Sequence, residues 1–199
     1  MDHETADFDP NKLAAVLYRP EDDIDSLLHD FAATLRADGV AVGGVVQRNA
    51  KTDEGRIVQM HLLDLTSGRE IRLCQDLGSG ATSCRLDPAG LAEASRAVGR
   101  AIEAGSELVV VNKFSKQEAA GKGLRDELAA AIVAGLPVLT AVPEKHLEAW
   151  ATFTGDRGTM LLCSRRTLDG WWADIAARGK RRRHAAGGRP VWNEATSQP

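Results

Sequence analysis

The chain has 199 residues, of which 43% are hydrophobic and 27% charged, enough apolar material for one sizeable core and too much for a disordered polymer. No apolar run approaches the ~20 residues needed to cross a bilayer. The acidic start MDHETADFDPNK reads as neither a secretory signal nor a transit peptide, so a cytoplasmic protein without membrane insertion is expected.

The elements follow in chain order. Residues 1–11 read as a flexible extension. Leu13–Tyr18 (LAAVLY) is a short apolar run and predicts a buried strand. Ile24, Leu27, Leu28, Phe31 and Leu35 then follow helical spacing, with acids before the first turn and Gly39 as the stop. Val40–Gln47 (VAVGGVVQ) is a second buried strand, which completes a βαβ-like unit. Residues 57–65 alternate in part, Thr66-Ser67-Gly68-Arg69 signals a turn, and residues 71–77 form a partner strand. Together these two strands predict an inserted antiparallel hairpin.

A Gly/Ser-rich loop, Gly78–Ser83, follows, and Asp87-Pro88 marks a helix start. That helix carries Leu91, Ala94, Val98, Ala101 and Ile102 on one stripe and ends at Gly105. Leu108–Val111 (LVVV) is the most strand-like segment. A polar loop leads to a helix through Leu124, Leu128, Ala131 and Ile132, stopped at Gly135. Pro137–Val142 is a strand, Leu147 and Trp150 suggest a short helix, Met160–Cys163 a last strand, and Leu168, Trp171, Trp172 and Ile175 a last helix. Continuous apolar strands alternating with helices predict a three-layer α/β domain over residues 12–177 with a mostly parallel sheet. Residues 178–199 lack periodicity and read as a basic flexible tail, with six basic residues and one acid. The body that remains is acidic and ill-suited to nucleic acid.

In such a sheet, ligands bind at the carboxyl ends of the strands. That rule selects the loops at Arg19–Asp23, Gln47–Asn49, Asn112–Glu118 and Pro143–Lys145. The third is richest in chemistry: Asn112-Lys113-Phe114-Ser115-Lys116-Gln117-Glu118, then Gly121-Lys122-Gly123 before the helix. Lysines there can hold an oxyanion, and Glu118 can orient water. The loop after the first strand, Arg19-Pro20-Glu21-Asp22-Asp23, has no glycine, no lysine and three acids. A phosphate-wrapping loop needs G-x-x-x-x-G-K-[ST], so ordinary P-loop catalysis is not expected. Cys84 beside Arg85 is a second candidate, because Arg85 can close over an anion and lower the thiol pKa. The five histidines are scattered, no Cys/His cluster appears, and no zinc is expected.

Several of these segments also carry a resemblance. The first strand–helix–GGVVQ unit, Cys84-Arg85-Leu86-Asp87, VVVNKFSKQEAAGKGLRDE and GLPVLTAV resemble the bacterial domain-of-unknown-function family 2478 over roughly residues 12–175. That family is distantly similar to small P-loop nucleoside triphosphatases. The resemblance implies their fold. In those enzymes the strand matching Leu108–Val111 ends in acidic Walker B residues, whereas here Asn112 and Lys113 stand there, with Glu118 the nearest acid. It also implies glycine where Ser115 stands, and an accessory role near molybdate uptake or molybdenum enzymes.

The sequence therefore predicts a non-catalytic or weakly catalytic accessory protein with an oxyanion- or nucleotide-phosphate-binding crevice, its ligand molybdate or a nucleotide. The predicted ligand-binding residues are Arg19, Gln47, Cys84, Arg85, Asn112, Lys113, Phe114, Ser115, Lys116, Glu118, Gly121 and Gly123, with Glu118 catalytic if any residue is. A divergent triphosphatase or phosphotransferase is one alternative. A protein-interaction scaffold with a dead ligand site is the other, and a protein partner or homodimer is compatible with all three.

Overall fold

The central strands Leu13–Tyr18, Leu108–Val111 and Val138–Pro143 are almost continuously apolar because both faces of the sheet are covered there. In the computed structural model, which describes residues 8–51, 57–75 and 85–187, successive residues of strand β1 (Leu13–Tyr18) feed two separate cores. Leu13 and Ala15 pack on one side with α2 (Pro88–Glu103), α4 (Arg125–Val133) and α5 (Leu147–Thr154). Ala14 and Val16 pack on the other with α1 (Ile24–Ala37) and α6 (Arg165–Gly187). This is the three-layer α/β architecture that the periodicity predicts.

The remaining elements are β2 (Val42–Lys51), β3 (Ile57–Asp64), β4 (Glu70–Arg72), β5 (Cys74–Gln75), β6 (Arg85–Leu86), β7 (Leu108–Val111), α3 (Lys116–Ala119), β8 (Val138–Pro143) and β9 (Thr159–Leu162). Seven of the strands form one sheet in the order β4-β3-β2-β7-β8-β1-β9. The pairs β2–β7, β7–β8, β8–β1 and β1–β9 are parallel, while β3 and β4 add antiparallel strands at one edge.

Local chemistry sets the boundaries. Asp23 caps α1 through the Ser26 amide, and Asp87 caps α2 through the Ala89 amide with Pro88 behind it. Gly39, Gly105 and Gly135, read from the sequence as helix stops, take positive φ just past their helices. Gly44 is required for another reason. It sits at φ +96 inside β2, where a Cβ would collide with the Val110 carbonyl of the neighbouring strand.

Four expectations need correction. β1 and β2 are not neighbours: β7 and β8 lie between them, so the first strand–helix–strand segment is parallel but not a paired βαβ unit. Periodicity reports which face is buried, not which strand lies beside which. The second strand runs from Val42 to Lys51, longer than expected, because β3 continues pairing with it past the parallel sheet. The partner strand expected over 71–77 breaks at Leu73, whose amide bonds the Met60 carbonyl, and Cys74–Gln75 turns away to pair with Arg85–Leu86. Finally, α6 runs ten residues into the segment read as a tail, and residues 188–199 lie outside the described part. The N-terminal extension is tied down at its end as well. Trp171 Nε1 donates to the Asn11 carbonyl, and Arg157 stacks on Phe8.

Candidate functional site at the carboxyl rim

β1, β8, β7 and β2 all point their carboxyl ends at one rim, and the loops that leave them meet there. The loop after β7 is fixed before any ligand chemistry is considered. Phe114 is fully buried, edge-on to Trp150 at 5.1 Å and beside Phe153 at 5.4 Å, while its amide bonds the Ala141 carbonyl of β8. Phe114 is thus the anchor of the loop, and its neighbours Lys113 and Ser115 are left at the rim.

The centre of the rim is Asp25, in the first turn of α1. Its Oδ1 accepts from Lys113 Nζ at 2.8 Å and from Asn112 Nδ2 at 3.0 Å. Its Oδ2 accepts from Asn49 Nδ2 at 2.9 Å, and Asn49 Oδ1 in turn accepts from Gln47 Nε2 at 2.8 Å. Lys113 and Asp25 keep only 18% and 16% of their side-chain surface, so this pair is stronger than an exposed one. Asn112 is 3% exposed, and its Oδ1 is buried without a partner among the described residues. A cleft of about 240 Å³ borders the cluster, lined by Asp23, Asp25, Ser26, Gln47, Arg48 and Asn49 among others.

Tyr18, at the end of β1, closes the cluster from the other side. Lys113 Nζ lies 5.4 Å from its ring centre. Burial and the charge of Asp25, with a smaller push from Glu118, raise the phenol to about 12, against a hydrogen bond with Ser115 that lowers it.

Glu118 has a different environment. It is buried, its Oε2 accepts from the Ser115 amide at 3.0 Å, and its Oε1 accepts from the Leu124 amide at 3.1 Å. Gly123 presses against it at φ +66, leaving no room for a Cβ. Ser115 itself sits at φ −138, so the residue that the resemblance expects to be glycine carries no left-handed strain.

Of the predicted ligand-binding residues, Gln47, Asn112 and Lys113 come together around Asp25, and Ser115 borders them through Tyr18. Lys116 is exposed on α3. Arg19 is turned to Glu144 at 2.7 Å, across the β1 and β8 loops. Gly121 is exposed at φ +75 and shapes the turn that leads to α4. Cys84 lies outside the described residues, as does the Gly78–Ser83 loop, and of Arg85 only the backbone in β6 is described. Sequence reasoning missed Asp25 and Tyr18, and it selected the Gln47–Asn49 segment without naming Asn49 as a ligand-binding residue. The signal for Asp25 was present, since an acid in the first turn after the first strand stands where a phosphate-binding loop would place its ligand.

A larger hollow, about 540 Å³, lies at the opposite end of the sheet among Lys12, Asp38, Glu107, Trp172, Ile175 and Arg178. Lys12 is committed there to the Gly135 carbonyl, and Glu107 to the Ala41 amide. Among the described residues no group of His, Cys, Asp and Glu could hold a metal ion, and no helix is long and apolar enough to cross a membrane.

The family profile described as protein of unknown function (DUF2478) matches residues 13–171. The chain belongs to this family. The chain is also similar to part of a longer protein, the molybdenum import ATP-binding protein ModC 2 of Bradyrhizobium diazoefficiens. The identity is 59% over 183 residues, which is 92% of this chain and 20% of that protein. The chain thus spans about a fifth of this curated relative. Among solved structures, a human cancer-related nucleoside triphosphatase superposes with a TM-score of 0.53 at 14% identity, over 85% of this chain and 98% of that one. At that identity the likeness is one of fold, and it gives this DUF2478 protein a P-loop-NTPase-like architecture.

Proposed function

We propose that this chain is an accessory domain that binds an oxyanion, or the phosphate of a nucleotide, at the carboxyl rim, and that it serves molybdenum transport without efficient hydrolysis. The observation that carries this reading is the convergence of Lys113, Asn112 and Asn49 on one carboxylate. Three side-chain donors from two strand ends already grip an anionic group. A tetrahedral oxyanion offers the same acceptors and would exchange with Asp25, which acts as an internal occupant. The name of the longer relative supports molybdate, and the fold supports a phosphate. Binding is favoured over turnover because both oxygens of Glu118 are spent on backbone amides. Hydrolysis would need one of them freed to polarise water.

The test is thermal stabilisation by molybdate, phosphate, ATP and GTP. A ligand at about 100 times Kd stabilises by ~2.7 kcal/mol. Stabilisation of the wild type is expected, with loss in Lys113→Ala and a response at lower concentration in Asp25→Ala, where the internal competitor is gone. If neither the wild type nor Asp25→Ala responds to any of the four at millimolar levels, the reading is wrong and the scaffold alternative stands. The neutralised Lys113–Asp25 pair is what favours that alternative. Magnesium-dependent phosphate release that disappears in Glu118→Gln would restore the hydrolase reading.

A further inference from the structure

The grip on Asp25 leaves one atom out. Asn112 is almost wholly buried, and its side-chain amide is a donor at one end and an acceptor at the other. The donor end, Nδ2, meets Asp25 Oδ1 at 3.0 Å. Turning the amide round would set its oxygen against the carboxylate, so its orientation is fixed. The acceptor end, Oδ1, is then buried with no partner among the described residues. Glu127 Oε2 and His146 Nε2 share that condition, but in residues that are themselves only half-buried.

A buried acceptor without a donor is costly, and the donors of the rim are turned elsewhere. Asn49 Nδ2 goes to Asp25, Gln47 Nε2 to Asn49, the Thr140 hydroxyl to the Val111 carbonyl, and the Tyr18 hydroxyl is engaged with Ser115. Asp25 cannot fill the gap, since a carboxylate has no proton to give and its second oxygen is turned to Asn49. The shape of the amide says what would. A group that presents an oxygen to Nδ2 and, beside it, a hydroxyl to Oδ1 closes a ring of two hydrogen bonds. A P–OH next to a P–O does this. Lys113 adds the demand for negative charge. Asp25 lines the neighbouring cleft as well as bonding Asn112, so an anion that displaces it arrives at this amide.

We infer that Asn112 Oδ1 is a selectivity element, which makes the rim prefer free hydrogenphosphate to molybdate, sulfate or an esterified phosphate. This rests on the anion-binding reading above and narrows it. Hydrogenphosphate keeps one proton at neutral pH. Molybdate and sulfate keep none, and a phosphate ester loses its last proton at about pH 6.

The experiment is isothermal titration calorimetry of the full chain at about pH 8, above that last step of the ester. The probes are phosphate, arsenate, sulfate, molybdate and methyl phosphate, each added to the wild type and to Asp25→Ala. All are then mainly dianions, so charge does not sort them. Nor does size, because arsenate is large like molybdate and sulfate is small like phosphate. Only phosphate and arsenate keep a hydroxyl. They are expected to bind at least about tenfold more tightly than the others, the penalty of one buried acceptor left unpaired. Asn112→Ala removes both ends of the amide and should bring the ratio near one, with far-ultraviolet circular dichroism showing that the fold survives. Should that variant not fold, the ratios in the wild type and in Asp25→Ala decide alone. Molybdate or sulfate bound as tightly as phosphate would mean that water meets Oδ1; the inference then falls while the anion-binding reading stands. Methyl phosphate on a par with phosphate, or a ratio that survives in Asn112→Ala, overturns it equally. If no anion binds either protein, the anion-binding reading fails and this inference with it.

Discussion

Two carboxylates sit on the same rim, and they are held in opposite ways. Glu118 is gripped by backbone amides, those of Ser115 and Leu124, in a loop anchored by Phe114. Asp25 is gripped by side chains, those of Lys113, Asn112 and Asn49. A backbone donor cannot turn away when its acceptor leaves, and a buried one then loses its hydrogen bond outright. A side-chain donor at the mouth of a cleft can rotate, meet water or take another anion. The comparison separates a carboxylate that builds the rim from one that holds a place there.

Substitution should expose this difference first as stability. Glu118→Ala strands two amides, one of them buried, and is expected to cost about 3 kcal/mol in a denaturant titration. Gly123→Ala attacks the same contact from the other side. It forces a Cβ against Glu118 at a positive φ, and a loss of about 2 kcal/mol should follow. Asp25→Ala unpairs Lys113, which keeps enough surface to hydrate, and also the side-chain amide of buried Asn112, so a loss of about 1–2 kcal/mol, below that of Glu118→Ala, is expected. If Asp25→Ala destabilises as much as Glu118→Ala, the two sites are equally architectural and the place-holder reading of Asp25 fails.

Part of this contrast could be read from the sequence. Ser115-Lys116-Gln117-Glu118 has the S-x-x-E spacing of a capping box, which announces a glutamate that reaches back to its own helix start. Reading Glu118 as a water-orienting acid passed over that signal. The strand and helix alternation, the glycine stops after helices and the loop after Leu108–Val111 were equally legible, because each is local, whereas Gln47–Asn49, read as a loop, lies inside β2. The grip on Asp25 was not. Asp25 and Lys113 are 88 positions apart, and their meeting depends on β8 and β7 lying where they do beside β1. Strand order arises from pairing energies across the whole sheet, and hydrophobic period carries no record of it. The fate of β5 was hidden for a related reason: the run 71–77 is apolar enough for one strand, and only the partner at Arg85–Leu86 splits it.

The smallest effect gives the sharpest reading, because the chain contains a single tyrosine. Tyrosinate absorbance therefore reports Tyr18 alone. Its midpoint is expected near 12, well above the ordinary value of about 10. The sign follows from which state ionises first. Between about pH 10 and about pH 12 the unfolded chain loses the phenolic proton while the folded chain keeps it, so the stability associated with Tyr18 is intact below that window and drains away across it. Burial is the main cause, and of the two carboxylates Asp25 pushes harder than Glu118. Asp25→Asn should therefore lower the midpoint by a fraction of a unit, and Glu118→Gln by less, with circular dichroism confirming that the fold survives each titration. A midpoint at the ordinary value would mean that Tyr18 is open to water and does not close the cluster. A larger shift from Glu118→Gln would mean that the charge facing the phenol is the architectural one, and the division between the two carboxylates would have to be redrawn.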